Sequence, residues 1–376
     1  MSDVHHASDA PGPRKKSGGK RRARSRRPWR RTTAAALGLT VCLGTASVSV
    51  ASGSDPDAKP TAPTSSRSSQ SPKGSAGRTK PTIEANLINP GDDWTSSDAA
   101  DYWTPQRMAA AAPPADAPPA DAPPADGTAE PDGVTARSAP AAKPAKAQPA
   151  RRARHFDGIP TVGVLFSVDG DAKAHHCTAS VVNSPRRNLI LTAGHCEPGA
   201  NAAFVPQYRS GADTQPYGVW AISKTFAYPG RGTTGSASDL DFAFATVEPD
   251  ELGREIEEVT GGNTLSATPG YTNKVTVTGY PSVRNDPKDR AVSCDTRTSR
   301  LAGTRQLRME CGGFYGGTSG SPWLAGFDKA TGTGRVIGLI GGLNGGGPKG
   351  PDSDRISYSP YFGTSIFTLY ARATSG

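Results

Sequence analysis

The residue types best suited to chemistry lie in a short glycine-bounded run. Residues 316–322 read Gly-Gly-Thr-Ser-Gly-Ser-Pro and place Ser319 on a turn. Glycines around a serine let the backbone approach a substrate and direct amide N–H groups at one point, as a developing oxyanion requires. An earlier run, residues 191–196, reads Leu-Thr-Ala-Gly-His-Cys and supplies His195 as a base for the serine proton. Together the runs predict a serine hydrolase, although the glycine run alone would also suit a surface turn.

Two further choices cannot be made from the residue pattern alone. Ser321 follows Ser319 and is a second candidate nucleophile. Asp239 and Asp241 are both candidates for the carboxylate that orients the histidine. They are two residues apart and would face the same side of an extended strand, so periodicity does not separate them.

The elements that position these residues begin near Phe156, where the composition changes. From there, runs of about five β-forming residues alternate with turns rich in Gly, Pro, Asn and Asp. Only residues 364–373 show a helical pattern, with apolar side chains on one side. This pattern predicts an all-β barrel or sandwich, and residues 155–376 suffice for two small barrels, about 155–262 and 263–376. The predicted strands include residues 162–168, 178–182, 189–192, 218–222, 242–247, 274–278 and 335–340.

The preceding part of the sequence predicts no comparable core. Residues 52–154 are rich in Ala and Pro, with a Pro-Pro-Ala-Asp repeat over 113–127, and we expect a disordered propeptide or linker. One island, residues 94–108, contains two tryptophans and is either a short amphipathic docking segment or an ordinary loop. The basic residues 151–154, Arg-Arg-Ala-Arg, suit a processing site, and an uncleaved linker is the alternative.

The net charge of +9 is confined to the N-terminal end of the chain. Residues 1–31 carry eleven Lys or Arg and two Asp, which accounts for all of the net charge, so no basic face and no nucleic-acid partner are predicted.

The apolar residues 32–50 and the small Ala51 complete a secretory signal, so residues 1–51 form a signal region with only transient membrane contact during export. An uncleaved membrane anchor is the rival interpretation. The expected location is extracellular, with retention at the cell envelope as the alternative.

Cysteine usage agrees with export. Cys42 belongs to the signal, and an even number of cysteines remains for an oxidising compartment. Three pairings are open. The sequence-local choice closes two short loops, each worth roughly 3 kcal/mol in the chain-entropy model, and we expect it. The two bonds would be Cys177–Cys196 and Cys294–Cys311.

A metal site is the competing use of these residue types. Histidines and cysteines cluster in the sequence, but their spacing matches no zinc pattern, so no metal and no cofactor are expected. The residues concerned are His175, His176, Cys177, His195 and Cys196.

Four motifs in order resemble those of trypsin/chymotrypsin-like serine peptidases, and most closely the secreted bacterial branch that includes glutamyl endopeptidases. The resemblance covers roughly residues 160–373. It implies two six-stranded antiparallel β-barrels with a C-terminal helix, preceded by a disordered N-terminal region. His and Asp would lie on the first barrel and Ser on the second. The motifs are residues 177–182 (Cys-Thr-Ala-Ser-Val-Val), residues 191–196, residues 241–244 (Asp-Phe-Ala-Phe) and residues 317–322.

The resemblance also implies a role for each residue. Ser319 would be the nucleophile, His195 its base, and Asp241 the carboxylate that fixes the histidine tautomer. Asp241 is preferred because the family's Asp begins an apolar strand with Ala two residues on. The N–H groups of Gly317 and Ser319 would form the oxyanion hole.

Departures from the family pattern bear on activation and specificity. Thr318 replaces the Asp that captures a new N-terminus in animal enzymes, so activation by that salt bridge is not expected. Gly194 stands where the family has Ala.

The floor of the family's substrate pocket falls on Gly313, and the lack of a carboxylate there argues against cleavage after Arg or Lys. No His follows Ser319, which argues against a Glu preference, so the preferred residue stays open. The pocket wall falls on Ile340, Gly341, Gly342 and Leu343.

The sequence therefore predicts a secreted serine endopeptidase that acts on protein or peptide substrates as a monomer. The alternative is a catalytically silent peptidase-like binding module at the cell surface. An intact set of His, Asp and Ser candidates favours the enzyme.

Overall fold

The computed structural model describes residues 82–89, 93–111, 151–169 and 173–375. The predicted signal region and the repeat over residues 113–127 lie outside these ranges. Within them, no helix is both long and apolar enough to cross a membrane.

The described ranges contain fifteen β-strands and four α-helices. The strands are β1 (Glu84–Leu87), β2 (Arg154–His155), β3 (Val162–Val168), β4 (Ala174–Val182), β5 (Leu189–Thr192), β6 (Ala200–Pro206), β7 (Trp220–Ala227), β8 (Ala243–Val247), β9 (Thr264–Leu265), β10 (Lys274–Gly279), β11 (Val292–Arg300), β12 (Leu307–Glu310), β13 (Pro322–Asp328), β14 (Thr333–Leu339) and β15 (Ile356–Ser359). The helices are α1 (Ser96–Tyr102), α2 (Pro105–Ala110), α3 (Ile256–Thr260) and α4 (Thr364–Ser375).

The first sheet closes into a six-stranded barrel. Its strand order is β1-β7-β6-β3-β4-β5-β8, and β7 also pairs with β8, which closes β3 to β8 on themselves. All the pairings are antiparallel, and all seven residues of β3 are buried. β6 pairs with the start of β7 and β1 with its end, so β1 is an extra strand along the barrel.

The second sheet has the order β15-β12-β11-β10-β13-β14-β9, with β2 paired to β11. Its two outer long strands approach each other where the Leu339 N–H donates to Ser359 Oγ at 2.9 Å. Eight strands take part rather than six, because the short β2 and β9 add to the ladder. The predicted all-β fold with a C-terminal helix is confirmed, and the first sheet is the expected six-stranded antiparallel barrel; the second sheet differs from the expected barrel in having eight strands and a parallel β9–β14 pair.

Part of the region expected to lack structure is ordered. Residues 82–89 and 93–111, here called the N-terminal segment, form β1, α1 and α2 against the first barrel. Trp103 is 1% exposed, and its Nε1–H donates to the Asn201 carbonyl at 2.6 Å. Residues 94–108 were interpreted either as a docking segment or as an ordinary loop, and in the structure they pack on the first barrel as a docking segment would.

Elements from either end of the peptidase region cross to the other half. β2 precedes the first barrel in sequence but pairs with β11 of the second sheet. α4 follows the second sheet but packs on the first barrel, where Tyr228 Oη donates to the Ser365 carbonyl at 2.9 Å and Tyr370 Oη donates to the Asn183 carbonyl at 2.8 Å. The two halves therefore do not divide into residues 155–262 and 263–376 without exchange.

Three helices besides α4 escaped the sequence pattern. α1, α2 and α3 have seven, six and five residues, too few for a helical periodicity to repeat. Local capping supports two of them: Thr95 and Asp98 form a capping box at α1, and Glu255 and Glu258 form one at α3.

The structure contains the two sequence-local disulfides. Cys177–Cys196 joins β4 to the turn after β5, and Cys294–Cys311 joins β11 to the end of β12. The first lies beside the histidine turn and the second inside the core of the second sheet. Each disulfide thus braces one of the regions that carry predicted site residues.

Candidate active site

His195 lies in a tightly held turn at the rim of the first barrel. It is the middle residue of a 3-10 helix, Gly194–Cys196, which follows the fully buried β5. Cys196 carries the disulfide to Cys177, so the residue after the histidine is covalently fixed to β4. The backbone leaves the barrel at a defined point, and the imidazole has little freedom to shift with its turn.

Asp241 and not Asp239 contacts the histidine. Asp241 follows a 3-10 helix, Gly235–Leu240, and is completely buried. Its Oδ1 accepts the His195 backbone N–H at 2.7 Å, and its Oδ2 accepts His195 Nδ1–H at 2.8 Å. A carboxylate acceptor at Nδ1 places the proton there, which leaves Nε2 as the basic nitrogen of the neutral ring.

Glycine is required on both sides of Ser319. Gly317 has φ of 101° and Gly320 has φ of 86°, a backbone region that favours glycine. A Cβ at Gly320 would lie 2.0 Å from the Thr178 carbonyl oxygen and 3.1 Å from Ala193 N. The serine turn therefore packs directly against β4 and against the residues that lead into the histidine turn.

The two serines of the turn have different environments. Ser321 is fully buried, and its Oγ donates to the Thr318 carbonyl at 2.6 Å. The Ser319 hydroxyl has no hydrogen-bond partner within the described part of the chain. Ser321 is therefore committed to holding the turn, whereas the Ser319 hydroxyl remains available for chemistry.

Backbone donors also surround this turn. Among the described residues, the N–H groups of Gly317 and Ser319 donate to no backbone or side-chain acceptor. Thr318 N and Ser321 N are both used, by the Tyr315 and Thr318 carbonyls. The two unused donors are the ones predicted to receive an oxyanion.

Thr178 on β4 ties the serine turn to the first barrel, a role the sequence alone did not reveal. Its N–H donates to the Ser319 carbonyl at 2.8 Å, and its Oγ1–H donates to the Gly317 carbonyl at 3.1 Å. The same Oγ1 accepts the Tyr280 N–H at 3.0 Å. One buried hydroxyl thus links three segments, and only its place in the Cys-Thr-Ala motif gave a hint of it.

Gln306 is a second residue that sequence reasoning missed. It is buried; its Nε2 donates to Ser238 Oγ at 2.8 Å and to Asp239 Oδ1 at 3.0 Å. Its Oε1 accepts the Leu343 N–H at 2.9 Å. Gln306 therefore connects the helix that precedes Asp241 with the segment predicted as the pocket wall. No periodicity or motif marks such a lone glutamine.

The residues assigned to the pocket wall lie against Asp241. Gly342 N donates to Asp241 Oδ2 at 2.6 Å, and a Cβ at Gly341 would lie 3.1 Å from that same oxygen. Ile340 is buried in the second core, and its N–H donates to the Ser321 carbonyl at 2.9 Å. These contacts give the segment a part in holding the aspartate and the serine turn.

Gly313, assigned to the pocket floor, lies beside an acid. Its N–H donates to Asp354 Oδ2 at 3.3 Å, and Asp354 is 6% exposed. Because position 313 is glycine, the sequence predicted a pocket floor without a carboxylate. In the structure, the Asp354 carboxylate borders Gly313 from the segment before β15.

No group of three or more metal-ligand side chains forms within the ranges that the structure describes. His176 is fully buried, and its Nε2–H donates to the Tyr280 carbonyl at 3.0 Å. Burial lowers the pKa of His176 from 6.5 to about 4. It is therefore a neutral structural histidine beneath the serine turn.

Comparison with solved structures shows that the fold of this chain is a known one. The protease Anisep from Arthrobacter nicotinovorans matches with 24% identity and a TM-score of 0.51 over 60% of this chain and 100% of its own. The thermostable serine protease AL20 from an extremophilic microorganism matches with 23% identity and a TM-score of 0.47, over 57% of this chain and 97% of its own. A Glu endopeptidase matches with 17% identity and a TM-score of 0.46, over 61% and 99%.

At these identities the likeness concerns the fold, and the chain has the fold of bacterial chymotrypsin-like serine proteases. Neither family models nor curated proteins gave a match to this sequence.

Proposed function

We propose that this protein is a secreted serine endopeptidase that hydrolyses peptide bonds through His195, Asp241 and Ser319. The observation that carries the proposal is the carboxylate of Asp241, which accepts hydrogen bonds from both the backbone and the ring of His195. A buried carboxylate at Nδ1 is the arrangement that fixes the tautomer of a general base.

The mechanism uses these residues in sequence. His195 Nε2 takes the Ser319 proton as Oγ attacks the carbonyl carbon of the substrate, and Asp241 stabilises the imidazolium that forms. The Gly317 and Ser319 N–H groups bind the oxyanion of the tetrahedral intermediate. Collapse of the intermediate breaks the C–N bond, and the histidine returns the proton to the leaving amine. Water, activated by the same histidine, then hydrolyses the acyl-enzyme on Ser319.

The remaining expectations extend the proposal. The two disulfides and the protease fold support an extracellular location. We propose that the enzyme acts as a monomer on protein or peptide substrates, with a substrate pocket near Gly313 and Ile340–Leu343. Asp354 beside Gly313 makes a basic residue before the scissile bond the first preference to test.

Labelling with a serine-directed fluorophosphonate tests the proposal. Wild-type protein should be labelled and should cleave peptides, and Ser319→Ala should lose both. Ser321→Ala is the matched control: it removes a buried hydrogen bond and should lower stability but retain labelling. Labelling of the Ser319→Ala variant would refute the assignment of Ser319 as the nucleophile. Folded, correctly processed protein that neither labels nor cleaves would support a silent binding module instead.

Peptide-library profiling of wild type and Asp354→Asn tests the pocket separately. A preference for Lys or Arg that weakens in the variant supports the assignment. An identical profile for both proteins removes Asp354 from specificity.

A further inference from the structure

The N-terminal segment is attached to the first barrel as if it were part of its interior. Trp103 and Met108 are 1% and 3% exposed and belong to the same hydrophobic cluster as the barrel core. The Trp103 ring centroid lies 5.2 Å from that of Phe166 on β3. Truncating one buried tryptophan typically costs about 3–5 kcal/mol. Loss of the whole segment would uncover a core surface, so simple dissociation is strongly opposed.

Polar contacts make the attachment specific. β1 pairs antiparallel with β7 over four residues, which covers an edge that would otherwise expose unpaired backbone groups. Ser96 Oγ accepts the Ala221 N–H and donates to the Glu248 carbonyl, each at 3.2 Å. Trp94 Nε1–H donates to the Ala202 carbonyl at 2.9 Å. The segment therefore satisfies backbone groups of the barrel as well as burying apolar surface.

Arg231 connects this segment to the histidine turn. Its Nη1 donates to Glu84 Oε2 on β1 at 3.3 Å, and its Nη2 donates to Glu197 Oε1 at 2.6 Å. Its Nε–H donates to the Gly194 carbonyl, the peptide that joins directly to His195, at 3.2 Å. The Arg231 side chain is 15% exposed, whereas Glu84 and Glu197 are 43% and 65% exposed, so solvent screens the two ion pairs and the contact to the buried Gly194 backbone is the better shielded one.

The glycine at 194 is explained by the same contact. A Cβ there would lie 2.9 Å from Arg231 Cδ, 3.0 Å from Phe242 N and 3.1 Å from Asp241 Oδ1. An alanine at position 194, as in the family motif, would crowd Arg231 and the Asp241–Phe242 segment, which explains the glycine in this chain. Arg231, Gly194 and Asp241 form one packed unit around the backbone of His195.

We propose that the N-terminal segment is a permanent part of the folded peptidase, and that Glu84 and Arg231 act as a positioning pair for the turn that carries His195. The positioning role rests on the proposed function, whereas retention of the segment does not. A cut between residues 111 and 151 would leave a two-chain enzyme with the segment still bound.

Co-elution under native conditions tests retention. Secreted protein is separated by size exclusion, and the peak is analysed by mass spectrometry with and without denaturant. Peptides that contain Trp103 should accompany the peptidase domain one to one in the native peak, whether or not the chain is cut, and separate from a cut chain only in denaturant. Active native protein that lacks residues 82–111 would overturn the proposal.

Kinetics per active site test the positioning pair. Arg231→Gln should lower kcat roughly tenfold at nearly constant KM, since small misplacements of a catalytic group carry penalties of this order or more. Glu84→Gln should lower kcat less, and the double variant should be no worse than Arg231→Gln alone, because the two residues act in series.

Glu310→Gln is the matched control for these kinetics. It removes a half-exposed ion pair with Arg308 on the second sheet and should leave kcat unchanged. Fluorophosphonate titration counts the folded active sites in each sample. A variant that only loses folded protein would therefore keep the same kcat per titrated site. An unchanged kcat per titrated site in Arg231→Gln would overturn the positioning role. If wild type neither labels nor cleaves, the proposed function fails while co-elution still decides retention.

Discussion

At the scale of single residues, the predicted nucleophile is held by hydrogen bonds between the first barrel and the half of the chain that carries the second sheet. Thr178 contributes three of these bonds from β4, two of them to carbonyls in the Ser319 turn. The turn therefore depends on a residue in the opposite half of the molecule. Its own glycines permit the conformation, and Thr178 selects its position.

Thr178→Val should reduce both stability and turnover. The isosteric change leaves the Gly317 carbonyl and the Tyr280 N–H without a buried partner, at a cost of about 1–3 kcal/mol for each unsatisfied group. We expect lower stability in denaturant titrations and a kcat per titrated site about ten- to one-hundredfold lower.

Thr298→Val is the control for that change. Thr298 is equally buried, and its Oγ1 donates to the Tyr271 carbonyl at 2.6 Å and accepts the Asn273 N–H at 2.9 Å, away from the serine turn. It should destabilise comparably but keep kcat. Equal effects of both variants on kcat would contradict the role assigned to Thr178.

His176 should make the protein sensitive to acid. Its pKa is about 4 in the folded protein against 6.5 ordinarily, so the unfolded chain binds the proton more readily. Stability should therefore fall as the pH drops from about 6.5 to about 4, by up to about 1.4 kcal/mol per pH unit from this group. His176→Gln can still donate to the Tyr280 carbonyl, so its unfolding free energy should vary less over this window. Parallel curves for both proteins would refute the prediction.

The residues that sequence reasoning identified are those with chemical or turn signatures. A histidine, an aspartate before an apolar strand and a glycine-bounded serine are recognisable locally, and the structure brings His195 and Asp241 into direct contact. Thr178 and Gln306 were missed because their importance lies in partners 139 and 68 residues away in sequence. Asp354 was missed because it reaches Gly313 from another segment.

At the scale of elements, strand bounds followed the sequence pattern more closely than helix bounds. Residues 162–168 and 189–192 match β3 and β5, because their apolar β-forming runs end at clear turn residues. α1 and α2 were hidden in an Ala- and Pro-rich region whose average composition predicts disorder. Two tryptophans and local caps outweigh that average, which is a tertiary effect that composition does not contain.

The packing of α4 on the first barrel should contribute to the free energy of unfolding. Leu369 is fully buried in the core shared with that barrel, so Leu369→Ala should destabilise the protein by about 2–5 kcal/mol. Phe367 on the same helix is 37% exposed, and Phe367→Ala should change stability far less. Denaturant unfolding of both variants measures the difference. Comparable losses would mean that the helix does not dock as described.

At the scale of the whole molecule, exchange of elements between the halves affects processing. Arg154 pairs with Ser293, and His155 with Val292, in the ladder between β2 and β11. On the amino-terminal side, the Ala153 N–H donates to the Gly312 carbonyl at 2.8 Å. Processing after Arg154, which the basic run suggested, would require β2 to leave the sheet, since proteases bind extended, unpaired segments.

Limited trypsin digestion of native protein should therefore yield no fragment that begins at His155. Lys349 lies exposed in the loop before β15 and provides the internal comparison, because it should be cut earlier than Arg154. N-terminal sequencing of the fragments identifies each cut. A product that starts at His155 and retains a folded, labelled active site would show that β2 is dispensable.

The docking of α4 also sets an order of events during synthesis. All the strands of the first barrel leave the ribosome before most of the second sheet is made, yet Ile366, Leu369 and Ala373 belong to the core of that barrel. More than one hundred residues separate β8 from α4, so the nascent barrel must wait with an uncovered apolar face. The N-terminal segment, by contrast, precedes β3 in the chain and contributes Trp103 and Met108 to the same hydrophobic cluster before α4 has been made. Early synthesis of this segment therefore has a use before any substrate is met.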